Sequence, residues 1–318
     1  MNQNIAHMFY DRVWPVLVHL ATRKDSPPID TVFIKGLYRP ARTNVDAYDE
    51  LGCAAAPFPW GFRPYSDFMA RIVTVLLPKA KIVFHSDSFP YTSLCFERYE
   101  FALDTADRRM NIAPRPVATQ VAQNFRAAVF DYIGIEPPQS RIPLLGTVEG
   151  TQPLRVLIYD RGDARTRTVE NVAELVAAVK EMPLNLTINV ISVIGDLSAP
   201  EQVRIFAETD IAIMPHGAHT TSAIFMANHT AFIEINSPCD SHSSWMKNFV
   251  PLVGIHWKWL EGSCTEKKSM TINVPEVIDS LEALLADIAR ATAHRRTEMK
   301  KGGQMKQGGQ TRKGQRQG

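Results

Sequence analysis

Two short stretches hold residues able to grip a charged ligand. The first is Asp160-Arg161-Gly-Asp-Ala-Arg165-Thr-Arg167-Thr168, which follows the apolar run Leu154 to Tyr159. Guanidinium forks bind phosphate oxygens in pairs, and three of them beside a helix start suit an anion. A solvated loop with local Arg–Asp pairing is the other use of such a stretch. The second is His216-Gly217-Ala218-His219-Thr220-Thr221-Ser222, which follows Ile211 to Met214 and Pro215. Gly217 lacks a Cβ, so a ligand can approach the backbone there, and the turn can use angles closed to other residues. The first amides of the next helix and its dipole favour an anion such as a pyrophosphate. A plain structural turn is the alternative. Glu234 is an acid in the otherwise apolar run Ala231 to Ile235. It either bonds a ligand hydroxyl or pairs internally, because a buried free carboxylate is costly. Near the amino terminus His7 and Asp11 stand four apart, on one face of a helix. They form a carboxylate–imidazole pair suited to proton transfer, or a surface ion pair.

These residues need elements that bring them together. In the second half, strands are expected at Leu154–Tyr159, Leu186–Val193, Ile211–Met214 and Thr230–Ile235. Between them fall helical patterns at Val169–Val179, from the capping box Ser198-Ala-Pro-Glu201 to Phe206, and at Ala218–Ala227. This alternation predicts a doubly wound parallel sheet, in which whatever follows each strand converges on one edge. A closing helix is expected over Val274–Ala293. The first half reads as a helix from Asn4 to Leu20, strands at Thr31–Ile34 and Lys81–Phe84, and helices over Ser66–Leu77 and Val117–Ile133. The Pro- and Gly-rich stretch 137–153 reads as a linker between domains 1–136 and 154–293.

The chain has 318 residues, and 21% of them are charged, as in globular proteins. Its net charge of +2 misleads, since eight Lys and Arg from Arg295 onward face only Glu298. The remainder is mildly acidic, which argues against nucleic acid as a partner of the folded part. Residues 294–318 hold too few apolar side chains to bury and read as a disordered basic tail. Touching anionic partners, nucleic acid included, is the other use of that tail. No apolar stretch has the length of a membrane span. Cys53, Cys95, Cys239 and Cys264 lack zinc-site spacing, and His216 and His219 straddle a turn with no third ligand nearby, so no metal is expected. The sequons Asn185-Leu-Thr and Asn228-His-Thr lie at or near expected core elements. Signatures of P-loop, G-x-S-x-G and G-x-G-x-x-G enzymes are lacking.

Taken in order, several motifs resemble the family-61 glycosyltransferases. Asn4-Ile-Ala-His7…Asp11…Pro15 is similar to that family's Asn-x-x-His…Asp helix, Cys95-Phe96-Glu97-Arg98 to its Cys-Phe stretch, and Asn124-Phe125-Arg126 to its helix before the linker. Arg161…Arg165-Thr-Arg167…Asn171…Glu174-Leu175 resembles the Arg-rich segment, with Val172 where a Glu usually follows Asn171. Asp210…His216-Gly-Ala…Phe225…Glu234 resembles the carboxyl-terminal signature, from which His219 departs. The chain starts inside the first motif, so an incomplete amino-terminal domain without a signal anchor is expected. The resemblance implies a GT-B-like α/β enzyme, with two Rossmann-type domains and the active site in the cleft between them. It implies an inverting, metal-independent transfer of GlcNAc or xylose from a UDP-sugar to a glycoprotein glycan or polysaccharide, in the ER or Golgi lumen. A non-catalytic sugar-nucleotide or glycan-binding scaffold of the same fold is the alternative. The donor would lie against Arg161, Arg165, Arg167, Asn171, His216, Gly217, Ala218, Thr220, Thr221 and Glu234. His7 and Asp11 would serve the acceptor hydroxyl from across the cleft.

Overall fold

A computed structural model describes residues 31–35, 81–85, 115–142, 152–162, 166–195, 197–238, 246–265 and 269–310, together with Trp14, Leu17, Ala21, Ile72, Val75 and Leu76. Strands β1 (Thr31–Lys35) and β2 (Lys81–His85) pair in parallel, and helix α1 spans Arg115–Ile133. Five further strands build the main sheet: β3 (Leu154–Tyr159), β4 (Leu186–Ile191), β5 (Ile211–Pro215), β6 (Ala231–Asn236) and β7 (His256–Glu261). All neighbours in it are parallel, in the order β4-β3-β5-β6-β7.

Parallel strands buried on both faces read as apolar runs, and β3, β5 and β6 do, interrupted only by Arg155 in β3 and by Glu234 and Asn236 in β6. Their side chains alternate between two cores. Leu157, Tyr159, Ala212, Met214 and Phe232 face one, with α1 and helix α3 (Ala199–Ala207). Val156, Ile158, Ile211, Ile213 and Ile233 face the other, with helix α2 (Val172–Lys180) and the long closing helix. The crossover through α2 thus lies on one face and those that follow β4, β5 and β6 lie on the other, and the order reverses between β3 and β5. At that switch point the segments that follow β3 and β5 share the sheet's carboxyl edge, the usual place for a ligand in such sheets.

The expected strands recur within two residues at each end, and β7 is an addition. Its sequence, His-Trp-Lys-Trp-Leu-Glu, alternates only in part because β7 lies at the sheet's edge and is half-exposed. Three expectations need correcting. The helix expected over Ala218–Ala227 is a 3-10 helix, Ala218–Phe225, held by short bonds. The closing helix runs from Val274 to Gln310, past the expected start of a structureless tail. Extending a formed helix adds one bond per residue, so the run Ala293 to Lys301, which holds no glycine or proline, continues it. Finally, α1 lies before the expected linker, yet Ala122, Phe125 and Val129 share the core of Phe206, Met214 and Phe225. Trp14 joins the same core, edge-on to Phe249 at 5.6 Å.

Candidate functional site

The loop after β3 is built by Asp160. Its carboxylate accepts the Gly162 amide at 2.8 Å and the Ser192 hydroxyl at 3.0 Å, which ties the loop to the end of β4. Its carbonyl accepts the Val169 amide at 2.9 Å, closing the loop. Within it Arg161 and Arg167 adopt left-handed backbone angles, φ 59° and 65°. Residues with a Cβ take that region at a cost, so the surrounding structure must impose it. The effect is to aim both side chains at one place. Arg161 Nη1 donates to the carbonyl of His216 at 3.3 Å, and Arg167 Nη1 donates to the same oxygen at 2.9 Å. Two cations meet there over a neutral carbonyl. The buried Arg161 Nε has no hydrogen-bond partner.

The receiving corner is shaped to let them in. A Cβ on Gly217 would stand 2.1 Å from Arg161 Nη1, so any larger residue would push that guanidinium aside. Its angles do not: φ 170° and ψ −174° are extended backbone open to any residue, contrary to the expectation of a special turn. The Gly217 carbonyl accepts both the Thr220 hydroxyl, at 2.6 Å, and the Thr220 amide, at 3.1 Å. Ala218 opens the 3-10 helix without a side-chain cap, and the first amides of a helix have no acceptor within it. Thr221 is buried behind them, and His219 packs edge-on against Tyr159 at 5.7 Å.

Beneath the corner, His216 Nδ1 lies 2.5 Å from Glu234 Oε1, with both residues buried. The indole N–H of Trp257 donates to Glu234 Oε2 at 3.0 Å. Both carboxylate oxygens of Glu234 thus have partners within the chain. Its work is to fix the His216 ring, and through it the carbonyl on which the arginines converge. Trp257 was missed because β7 was missed. The signal available was the half-buried alternation His256-Trp257-Lys258-Trp259-Leu260.

Asn171 is likewise bonded within the chain. Its amide accepts the Ile272 N–H at 3.0 Å, donates to the Ile272 carbonyl at 3.0 Å, and reaches Glu174 at 3.1 Å. It acts as a strand partner for the segment before the closing helix, since a side-chain amide carries the same donor and acceptor as a peptide group. Of the other sequence candidates, Arg161, Arg167, His216, Gly217 and Thr220 come together, while His7, Asp11 and Arg165 lie outside the described residues.

The arrangement can receive an anion. Two aimed guanidiniums, the buried Nε of Arg161 and an uncapped helix start lie together at the switch point. No match is found among curated proteins. The model of one protein family, Glycosyltransferase 61, matches residues 65–233, just over half of the chain.

Proposed function

The chain belongs to the glycosyltransferase 61 family and is a glycosyltransferase, and we propose that it moves GlcNAc or xylose from a UDP-sugar to a hydroxyl of a glycoprotein glycan or polysaccharide. One observation carries the donor class: Arg161 and Arg167 converge on the His216 carbonyl beside Gly217, at the switch point of a parallel sheet. A sugar bound as its nucleoside diphosphate offers phosphate oxygens of the kind that guanidinium forks bind in pairs.

The chemistry is a displacement with inversion. The acceptor oxygen attacks the anomeric carbon as the bond from that carbon to the diphosphate oxygen breaks. UDP departs, and a base removes the hydroxyl proton. Charge grows on the leaving oxygens, so donors preset around them stabilise the transition state more than the ground state. Arg161, Arg167 and the amides opening the 3-10 helix fill that role, and Arg165 is assigned to it by its place in the loop. They make a bound metal unnecessary. His7 and Asp11 are the proposed base pair, presented by an amino-terminal domain across a GT-B-like cleft. The compartment proposed is the ER or Golgi lumen. Cys264 is disulfide-bonded, which suits an oxidising lumen. No described helix is long and apolar enough to cross a membrane.

Calorimetric titration with UDP, then UDP release from UDP-GlcNAc and UDP-xylose with acceptor present, tests the reading. Binding and release with one of the two donors is the expected result. Binding without release under any acceptor would point to a scaffold, and absence of UDP binding would end the donor assignment.

A further inference from the structure

The two sequons differ in the folded chain in a way their sequences conceal. Asn228 is committed: its Oδ1 accepts Arg126 Nη1 at 3.0 Å, and its side chain packs against Gly254. The third residue of that sequon, Thr230, is fully buried, its hydroxyl donating to the Ala227 carbonyl at 2.8 Å. Asn185 and Thr187 are both exposed. Asn185 follows the bend at Met182–Leu184 and immediately precedes β4, with its carbonyl taking the Leu154 amide at 2.8 Å. That places it at the amino edge of the sheet, opposite the edge that carries Arg161 and Gly217.

Its neighbour β4 supplies a second, independent observation. Among the described residues β4 is an outermost strand, and its sequence Leu-Thr-Ile-Asn-Val-Ile contains no charge and no proline. Val190 is 43% exposed on it. Edge strands are ordinarily blunted by charges, proline or a covering element, because bare N–H and C=O groups pair with other chains. A bulky hydrophilic group anchored one residue before the strand would serve the same end.

We propose that Asn185 carries an N-linked glycan that shields the edge of β4. In the reaction the Asn185 Nδ2 bonds to the anomeric carbon of an oligosaccharide held on a lipid pyrophosphate. The bond from that carbon to the pyrophosphate breaks, the lipid pyrophosphate leaves, and Nδ2 gives up one proton. The proposal rests on the lumenal compartment given above, so its test separates the two. The full chain is expressed behind a cleavable secretory leader in eukaryotic cells, and the untagged native protein is isolated in parallel. Both are treated with peptide-N-glycosidase, and Cys264 is probed by thiol alkylation. The expected result is one glycan's mobility shift in both samples, lost in Asn185→Gln and in Thr187→Ala and kept in Asn228→Gln. The unglycosylated variants should also show more self-association. An oxidised Cys264 with unmodified Asn185 overturns the glycan and leaves the compartment standing. A native chain with reduced Cys264 and no glycan, beside a glycosylated leader-directed one, overturns both.

Discussion

The amino and carboxyl edges of the central sheet treat their charges in opposite ways. At the amino edge the buried Asp210 is saturated. One oxygen accepts the Arg141 amide at 3.0 Å and Arg155 Nη2 at 3.3 Å, and the other accepts the Arg155 amide and Nε, both at 3.0 Å. Four donors surround one carboxylate and tie β3, β5 and residue 141 together. At the carboxyl edge two guanidiniums share one carbonyl, that of His216. Helix starts on that edge divide likewise. Helix α3 is closed by its own capping box, Ser198 with Glu201, while the 3-10 helix behind Gly217 has no side-chain cap. Satisfied groups hold a fold together. Cations gathered over a neutral carbonyl, at a backbone cost, are where a ligand can add contacts.

The largest effect that would test this contrast is on stability. Asp210→Ala strands two backbone amides and a guanidinium and should cost about 3 kcal/mol, the low end for a broken buried pair because the Arg155 side chain remains 27% exposed. Chemical denaturation measures it, and the folded fraction should keep its transferase rate. Arg161→Ala and Arg167→Ala should do the reverse. Each removes charge-assisted bonds worth about 1.5–3 kcal/mol, or roughly 10- to 100-fold in kcat, with little change in unfolding free energy. Steady-state kinetics beside a melting curve would break the comparison if either variant lost stability in step with activity.

Gly217→Ala asks whether the glycine matters through Arg161. The added methyl displaces Nη1 and should cost about tenfold in kcat, on the order of 1.4 kcal/mol. In the Arg161→Ala background the same substitution should cost much less, a non-additivity that a double-mutant cycle reads directly. Smallest is Ser198→Ala, at about 1 kcal/mol of stability for a lost N-cap. The hydrogen bond from Ser198 holds the Glu201 carboxyl below its ordinary pKa. A carboxyl lowered in the folded state adds stability above its unfolded pKa and loses it as pH falls through the folded value. Removing Ser198 should therefore raise the Glu201 titration midpoint by carbon-detected NMR and flatten the acid limb of the stability curve.

Much of the main sheet can be read from the sequence because strands buried on both faces leave an unambiguous apolar signature, as Leu154 to Tyr159 shows. The capping box at Ser198 is equally local and equally readable. The meeting of Arg161 and Arg167 with Gly217 follows from topology: loops after β3 and β5 must share an edge. What sequence could not supply was the use of each polar group once buried. Asn171 and Glu234 look like ligand contacts because their types can serve as such. Their partners, Ile272 and Trp257, stand 101 and 23 residues away in the chain. The tip of β7 lay hidden for a related reason, since a half-exposed edge strand with mixed polarity resembles a loop.

The placement of α1 has a practical consequence for anyone wishing to isolate the half that holds the five-stranded sheet. Ala122, Phe125 and Val129 cover the same apolar face as Phe206, Met214 and Phe225, and the guanidinium of Arg126 reaches across to the carbonyls of Met226 and Val253. A fragment begun at the proline-rich segment, where a boundary is easiest to draw, would bare that face to water and leave the Val253 and Met226 carbonyls without their cation. A soluble excised unit should begin ahead of Arg115, carrying the helix along as a built-in lid.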